Sequence, residues 1–351
     1  MSYADAPHVV TWEVTRACQL HCRHCRASAI RHRNPDELIF SEALSVLDDL
    51  AQGFSRPPIL VLTGGDPLER PDLDDLIRAA VSRRLVTAVA PSVTPLLTEA
   101  VVTRWAELGV HSVSLSLDGV DAATHDGFRG VRGTFERTIQ MAEAVRDAGL
   151  RLQINSSLAR QTVHQLQPMA ELVDNLGVAS WEIFFVIPTG RARVMDALDS
   201  QGIEEALSWL AGYLPSRPFR ITVVGAPQWV RVRAERTPAA GRPAPAAREA
   251  RGFAFIDHRG EVYPSGYLPV TGGNVRERPL SEIYRDSPLF SSLRDPAQLD
   301  DACGLCEYAE ICGGSRARAY AMTGNVYAAD PGCVRVGWPG AGTAPATEVH
   351  G

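Results

Sequence analysis

Three cysteines near the N-terminus are the residues of this 351-residue chain that are best suited to chemistry. Cys18, Cys22 and Cys25 have the spacing C-x3-C-x2-C and follow an apolar, β-branched segment, residues 9–15, that predicts a strand. Cysteine thiolates bind iron–sulfur clusters, and a cubane usually takes four of them. Three clustered thiolates therefore predict a cluster with one iron free to bind another molecule. A structural zinc site, with a nearby histidine as fourth ligand, is the alternative.

The spacing of these cysteines resembles that of the radical S-adenosylmethionine (SAM) enzymes. In that family the open iron of a [4Fe-4S] cluster binds the amino and carboxylate groups of SAM. One electron from the cluster then breaks a C–S bond and gives a 5′-deoxyadenosyl radical. The resemblance implies that Cys18, Cys22 and Cys25 are the cluster ligands. It also implies SAM as a cofactor and a reductant such as flavodoxin or ferredoxin as a partner.

The composition indicates a globular protein, with 45% apolar and 22% charged residues. The net charge of −6 gives no indication of a nucleic-acid partner. The sequence has neither a signal-peptide pattern nor an apolar run that could span a membrane, so we expect a cytoplasmic protein without a membrane partner. In that reducing compartment, seven cysteines indicate metal binding or catalysis and not disulfides. The absence of lysine excludes Schiff-base chemistry through that residue.

Alternating strand and helix patterns up to about residue 213 predict an α/β fold with a parallel sheet. The predicted strands are 9–15, 59–63, 86–90, 112–117, 151–157 and 181–187, and the predicted helices are 41–52, 73–83, 98–108, 135–148, 169–176 and 203–214. Six such units fit a partial (β/α)6 barrel, which the radical SAM resemblance also implies. Chemistry in such barrels lies at the C-terminal ends of the strands, where the three cysteines fall.

Two adjacent glycines follow the second predicted strand, in the run Thr63-Gly-Gly-Asp-Pro. Gly64 and Gly65 permit a close approach of the backbone to a ligand. The run resembles the Gly-Gly-Glu-Pro motif that binds the SAM ammonium group in the family, with Asp66 in place of the glutamate. An ordinary turn is the alternative. After the third strand, Ser92 is another candidate SAM contact, or else it caps a turn.

The fourth strand ends in a run that resembles the Ser-x-Asp-Gly strand end of the family. Ser116 and Asp118 share one face of an extended chain, so either is a candidate to bind the ribose or carboxylate of SAM. A buried aspartate that only orders its loop is the alternative. Arg129 is a candidate partner for a carboxylate, with a solvated surface arginine as the alternative. Asn155, near the end of the fifth strand, is a candidate hydrogen-bond partner of SAM or substrate.

The sixth predicted strand carries two consecutive phenylalanines that must lie on opposite faces of it. We expect one of them to point into the barrel near the substrate and the other to pack beneath the helices, and we take Phe184 as the candidate site residue. An aromatic side chain in place of a hydrogen donor fits a site that does not return hydrogen to the substrate. Arg191, just beyond the strand, is a candidate substrate contact.

Four further cysteines, with the spacing C-x2-C-x5-C-x20-C, lie near the C-terminus: Cys303, Cys306, Cys312 and Cys333. Four thiolates can enclose one metal centre completely, as in a zinc ribbon or an iron–sulfur cluster. With a predicted β-hairpin before it, this region resembles the SPASM or twitch extension of radical SAM enzymes. A full SPASM domain has more cysteines, and Arg316 stands where one of them would fall. The resemblance therefore implies one auxiliary [4Fe-4S] cluster held by all four thiolates.

Composition and resemblance together predict four segments: a barrel, a linker, a twitch domain and a tail. The linker and the tail are expected because they are rich in Arg, Ala, Pro and Gly and lack a pattern that could pack. The predicted bounds are residues 1–225, 226–252, 253–338 and 339–351.

The use of the cysteines bears on the reaction, since both clusters together take all seven and leave no thiol to return a hydrogen atom. We therefore expect net two-electron oxidation of a small-molecule substrate, with the auxiliary cluster as electron acceptor. The first hypothesis is dehydrogenation of an alcohol to a ketone in an aminocyclitol or aminoglycoside antibiotic intermediate. Alternatives are decarboxylation or deacetylation of tetrapyrrole side chains, as in haem-pathway relatives, sugar epimerisation, and peptide maturation. A non-enzymatic scaffold with two zinc ions is also open.

Two sets of charged residues would distinguish the first two substrate classes. An ammonium-bearing sugar requires acidic partners, whereas propionate side chains require arginines. The acidic candidates are Asp118, Glu182 and Asp257, and the basic candidates are Arg129, Arg191, Arg316 and Arg318.

Overall fold

Ten strands form one sheet in the computed structural model, which describes residues 3–213, 218–236 and 244–336. They are β1 (Val9–Glu13), β2 (Ile59–Thr63), β3 (Thr87–Val89), β4 (Ser112–Ser116), β5 (Arg151–Leu158), β6 (Ser180–Phe185), β7 (Arg220–Val224), β8 (Phe253–Ile256), β9 (Glu261–Tyr263) and β10 (Gly273–Asn274). Strands β1 to β7 are parallel neighbours in chain order. On the other side of β1, β8 pairs in parallel, and β9 and β10 follow in antiparallel pairing.

Helices follow most of the parallel strands and form the crossover connections that join one strand to the next. They are α1 (Phe40–Gln52), α2 (Leu73–Ser82), α3 (Glu99–Glu107), α4 (Ala122–Arg129), α5 (Thr134–Asp147), α6 (Leu166–Asn175), α7 (Ser200–Tyr213), α8 (Trp229–Arg236), α9 (Leu280–Asp286), α10 (Pro288–Arg294), α11 (Asp301–Gly304) and α12 (Arg316–Thr323). Helix α3 begins after Thr98, whose side chain accepts from the Val101 amide, as its sequence predicts. No helix in the described ranges is both long and apolar enough to cross a bilayer.

The two faces of the sheet differ in chemistry. On β5 and β6, alternate residues such as Ile154 and Ile183 are fully buried in the main hydrophobic core. Their neighbours along each strand face the other way and are mostly polar, among them Asn155 and Glu182. The apolar face is covered by helices, which stabilises the sheet by burial. The polar face forms the interior of the barrel and is available for ligands.

The α/β class and the parallel sheet agree with the prediction, and the six predicted strands are all present. The sheet is nevertheless larger than predicted, because β7 adds a parallel strand after α7 and β8 adds another beside β1. Helix α8 also forms within the segment predicted to be a linker, where Arg231 pairs with Glu204 and Glu235. The predicted tail, residues 339–351, lies outside the described residues, as do 237–243 of the linker.

Candidate active site

The three N-terminal cysteines lie in the loop after β1, and that loop is hydrogen-bonded to the Gly-Gly-Asp loop after β2. The Gly65 amide donates to the Thr15 carbonyl at 2.8 Å, and the Asp66 amide donates to the Ala17 carbonyl at 2.7 Å. Cys18 and its neighbours are largely buried there. Both loops stand at the C-terminal ends of adjacent parallel strands, so the predicted cluster ligands and the predicted SAM-binding motif meet.

The glycine pair after β2 is required by this close approach. A Cβ atom on Gly64 would lie 2.5 Å from the Thr15 carbonyl oxygen. On Gly65 it would lie 2.4 Å from the Ala17 carbonyl oxygen and 2.6 Å from that of Arg16. These contacts are with backbone, so a side chain could be accommodated only by a shift of the cysteine loop.

Gly65→Ala is therefore expected to displace the loop that carries Cys18. We expect the change to destabilise the fold by about 1–3 kcal/mol, as overpacking does. SAM cleavage should fall by about 100-fold or more, because an ångström-scale misplacement has effects of that order. Formation of 5′-deoxyadenosine measures the rate. Gly127→Ala is the matched control, since a Cβ there meets nothing within 4 Å; equal activity of the two variants would contradict the expectation.

Donor groups are directed at the three sulfurs. The Leu20 amide lies 3.4 Å from Cys18 Sγ, the Ala29 amide 3.4 Å from Cys25 Sγ, and Arg129 Nη1 3.8 Å from Cys22 Sγ. Each of these N–H donors stabilises negative charge on the sulfur that it faces. Burial raises the pKa of Cys18 to about 11, so this thiol needs a bound cation to ionise at neutral pH.

The donor set fits an iron–sulfur cluster with one open position better than it fits a closed site. His24, one of the two histidines close to these cysteines in sequence, is instead stacked on Phe128 with ring centroids 4.1 Å apart. Burial lowers the pKa of His24 to about 4, which keeps it neutral.

Ser92 and Asp66 hold the two loops together. Ser92 Oγ donates to the Gly65 carbonyl at 2.7 Å and lies 3.5 Å from Cys18 Sγ. The carboxylate of Asp66 is fully buried, accepts from Thr94 Oγ1 at 2.7 Å, and caps a short 3-10 turn. Burial raises the pKa of Asp66 to about 6. Ser92 thus lies beside the sulfur of Cys18. The Asp66 side chain orders the loop after β2, and the backbone of that loop remains available to a ligand.

Asp118 and Arg129 form a buried pair beside Cys22. Arg129 Nη2 lies 2.5 Å from Asp118 Oδ2, and the Ser157 amide donates to Oδ1 at 2.7 Å. Burial opposes ionisation of Asp118, but Arg129 holds the pKa of this carboxyl below its usual range. The carboxylate is therefore charged, and it orients Arg129 toward the sulfur. The Asp118 amide donates to Nδ1 of His125, so the loop is fixed from two sides.

Polar side chains of β5 and β6 line the interior below these loops. Gln153 Nε2 donates to Asn155 Oδ1 at 2.8 Å and to Glu182 Oε2 at 3.0 Å. Asn155 is also the register partner of Ser116 on β4. Phe184 lies two residues beyond Glu182 on the same face, as predicted for the inward aromatic, and Phe185 is buried in the core. The arrangement gives the interior both hydrogen-bonding and aromatic surface.

The ionisation of Glu182 leads to a pH-dependent prediction. Burial raises its pKa from 4.5 to about 7, so the folded protein keeps a proton that the unfolded chain has lost. This stabilisation is fully present below pH 4.5 and disappears as the pH rises through 7. Glu182→Gln should therefore exceed the wild type in unfolding free energy by about 1–3 kcal/mol at pH 8, with the difference vanishing toward acid pH. Urea unfolding of both apoproteins measures it; a pH-independent difference would contradict it.

Arg191 lies against the cysteine loop, which brings β6 into the same site. Its amide donates to the Cys25 carbonyl at 3.0 Å, and its Nη1 donates to the Ala29 carbonyl at 3.4 Å. Nε and Nη2, which share the opposite edge of the guanidinium, are buried without a hydrogen-bond partner. Two parallel N–H groups on one edge are the donor pair that binds a carboxylate in two places.

Two interior residues were missed by the sequence analysis. Tyr267, after β9, lies beside Phe184 with ring centroids 6.4 Å apart, and burial raises its pKa to about 12. Arg26 lies 4.4 Å over the Phe255 ring and pairs with Glu13 at 2.9 Å. The position of Arg26 next to a cysteine of the motif was a usable signal. Nothing local indicated that Tyr267 would return to the barrel.

The four C-terminal cysteines form a second site whose sulfurs also accept backbone N–H groups. The amides of Asp330, Tyr308 and Gly314 lie 3.4–3.5 Å from the sulfurs of Cys303, Cys306 and Cys312 respectively, and the Arg335 amide serves Cys333. Burial raises the pKa of Cys312 to about 12. Four thiols whose sulfurs are already supplied with donors fit a metal centre closed by protein ligands.

Two of the arginines proposed to clamp propionates lie in this second site and not in the barrel interior. Arg318 is fully buried against Asp330, with Nη1 3.3 Å from both carboxylate oxygens. Arg316 is also fully buried and donates to backbone carbonyls. Their partners are internal, so the expectation that they bind a substrate is wrong. Among the basic candidates at the first site, Arg191 has two donors on one edge of its guanidinium without a partner, whereas Arg129 has one such donor, Nε.

The chain is similar over nearly its full length to proteins of known family. The Radical SAM superfamily model matches residues 12–173. An AdoMet-dependent heme synthase of Methanosarcina barkeri is 34% identical over 95% of this chain and 98% of its own length. The AdoMet-dependent heme synthase of Oleidesulfovibrio alaskensis is 37% identical over 94% of this chain and 88% of its own length. The solved structure of Streptococcus suis SuiB has the same fold, with a TM-score of 0.75 and 18% identity over 94% of this chain and 77% of that one. Site geometry and relatives agree, and the chain belongs to the radical SAM superfamily.

Proposed function

We propose that this protein removes a carboxyl group oxidatively from a side chain of a tetrapyrrole. The observation that carries the proposal is the similarity, over more than nine-tenths of the chain, to two proteins named AdoMet-dependent heme synthase. This was the alternative and not the first hypothesis from the sequence. The relatives give no comparable support to dehydrogenation of an antibiotic sugar.

Membership of the superfamily implies SAM and a [4Fe-4S] cluster, and the residues of the first site fit them. Cys18, Cys22 and Cys25 would hold the cluster, and the backbone of Gly64–Gly65 would meet SAM. The four C-terminal thiolates would hold an auxiliary cluster. When bound, these groups would supply a radical that takes a hydrogen atom from the substrate and an acceptor for one electron.

The residues of the barrel would bind and orient the side chain that reacts. The free edge of Arg191 suits a carboxylate, which a propionate side chain carries and SAM also carries. Phe184 and Tyr267 offer an aromatic surface to a flat macrocycle. No thiol remains in this arrangement to return hydrogen, which favours a product with a new C=C bond.

The experiment is anaerobic incubation of the cluster-loaded protein with SAM, a reductant such as flavodoxin, and an iron tetrapyrrole with propionate side chains. We expect 5′-deoxyadenosine and a product that has lost carbon dioxide and two hydrogens from a side chain. SAM cleavage without any change in the tetrapyrrole would overturn the substrate assignment while leaving the chemistry of the first site intact.

The antibiotic-sugar hypothesis keeps one supporting observation. Glu182 presents a carboxyl group in the barrel interior, held by Gln153, where an ammonium group could pair with it. The other two acidic candidates are less suitable, because Asp118 is committed to Arg129 and Asp257 accepts the Arg259 and Glu261 amides through one oxygen. Loss of two hydrogens alone from an aminocyclitol, with no reaction of a tetrapyrrole, would favour this function.

A further inference from the structure

We propose that two buried arginines, Arg316 and Arg248, raise the reduction potential of the auxiliary cluster and so make it an electron acceptor. The inference rests on the proposed function, because it requires a cluster at the four C-terminal thiolates. It concerns a role that the sequence analysis did not assign to either residue. Both are positioning residues, which act on the substrate only through the cluster.

Arg316 is a fully buried cation without a carboxylate partner among the described residues. Its Nη1 donates to the Val326 and Ala328 carbonyls at 3.0 and 2.8 Å, and its Nη2 lies 3.8 Å from Cys303 Sγ. Carbonyl groups satisfy its donors but do not balance its charge. A buried charge that is left unbalanced is strongly destabilising, so an anion is expected beside it.

Arg248 approaches the same site from the other side. Its Nη1 donates to the Leu293 carbonyl at 2.9 Å, and its Nε and Nη2 are buried without a partner. That free edge faces the residue after Cys312, because a Cβ on Gly313 would lie 2.8 Å from Nη2 and 2.9 Å from Nε. The side chain is more than nine-tenths buried, and two unused donors thus point at the ligand loop.

The glycine pair after Cys312 makes both approaches possible. Gly313 and Gly314 have φ values of +67° and +64°, which other residues adopt only with strain. A Cβ on Gly314 would lie 2.5 Å from Arg316 Nη2 and 3.1 Å from Cys303 Sγ. The backbone here is therefore shaped so that guanidinium groups come close to the sulfurs.

Nearby acidic groups do not cancel these charges. Asp330 is paired with Arg318, and Glu249 Oε1 accepts from the Ser315 hydroxyl and the Ala317 amide. Glu249, next to Arg248 in the chain, acts on it electrostatically, but the two form no ion pair among the described residues. Around Cys303 and Cys312, the buried guanidinium groups of Arg248, Arg316 and Arg318 thus face two buried carboxylates, those of Asp330 and Glu249. This leaves an excess of one positive charge beside these sulfurs.

A cluster with four thiolates is negatively charged and becomes more negative by one on reduction. Buried cations beside the sulfurs therefore stabilise the reduced state more than the oxidised state and raise the potential. In the proposed reaction the bond to the carboxylate breaks, carbon dioxide leaves, and one electron of that bond pairs with the radical electron to form C=C. The other electron is the one that the oxidised cluster takes up, so a raised potential favours product formation.

The test is an EPR-monitored redox titration of the full-length, cluster-loaded protein, with SAM added to separate the signal of the first cluster. Arg316→Gln should shift the midpoint potential of the auxiliary cluster to more negative values. Arg335→Gln is the matched control, since its Nη1 lies 3.9 Å from Cys306 Sγ but 41% of the side chain is exposed. Water screens that charge, so the control should shift the potential much less.

Two further variants keep the test decisive. Arg316→Lys should retain most of the wild-type potential because it keeps the charge. Arg248→Gln should shift the potential in the same direction as Arg316→Gln, and it decides the outcome if Arg316→Gln does not assemble. Unchanged potentials in the glutamine variants, or an equal shift in the Arg335→Gln control, would overturn the proposal. A wild-type protein with only about four irons would instead show that the auxiliary cluster itself is wrong.

Discussion

Cys18→Ala is expected to abolish formation of 5′-deoxyadenosine from SAM. The loop after β1 supplies three thiols, and the other four cysteines of the chain lie near the C-terminus, so the loss of one thiol cannot be compensated by another cysteine. Cys18 is also the sulfur that lies beside Ser92, the residue that joins the cysteine loop to the glycine loop. Because loss of groups that merely support metal ligands lowers activity about 10- to 100-fold, loss of a ligand should exceed that.

The measurement is anaerobic, with dithionite as reductant and chromatographic quantification of 5′-deoxyadenosine. Iron content should fall by about four per chain, the content of one cubane. Circular dichroism checks that the variant is folded, since an alanine at this buried position removes only a sulfur atom. A folded variant that still cleaves SAM at the wild-type rate would show that these cysteines are not the ligands.

The strands of the barrel were predictable because their periodicity is regular and local. Each predicted strand is observed to within two residues at either end, since apolar residues on one face and small polar ones on the other mark them clearly. β7 and β8 were not assigned to the sheet for a different reason. β7 is a five-residue run beside a proline-rich stretch, and β8 joins β1 across more than two hundred residues of sequence. Local pattern does not specify pairing over such distances.

The ligands of the site were predictable, whereas the partners of those ligands were not. Cysteine spacing and the glycine pair are local signatures whose chemistry limits the residue types allowed. By contrast, Arg129 was a candidate for binding SAM, and the structure commits it to Asp118 and to Cys22. Arg316 and Arg318 appeared equally available in the sequence. Burial decides which arginine is free, and it is a property of the assembled fold.

Cys312→Ala is expected to separate SAM cleavage from product formation. Its sulfur belongs to the second site, which shares no cysteine with the first, so the loop of Cys18 should keep its geometry. The change removes one of four thiolates, the one next to the free edge of Arg248 in the chain loop that this edge faces. Loss of a group that only supports a metal ligand lowers activity about 10- to 100-fold, so loss of a ligand should cost more. We therefore expect formation of the tetrapyrrole product to fall by about 100-fold or more, while 5′-deoxyadenosine is still formed.

The contrast between the two alanine variants carries more information than either alone. If the second site only accepts electrons, Cys18→Ala loses both products and Cys312→Ala loses only the one derived from the substrate. The ratio of 5′-deoxyadenosine to product, measured in one reaction mixture, is therefore the diagnostic quantity, since it does not depend on the amount of active protein. An unchanged ratio in Cys312→Ala would place the electron acceptor elsewhere. Loss of both products with the first cluster intact would instead mean that the second site supports binding of SAM or substrate.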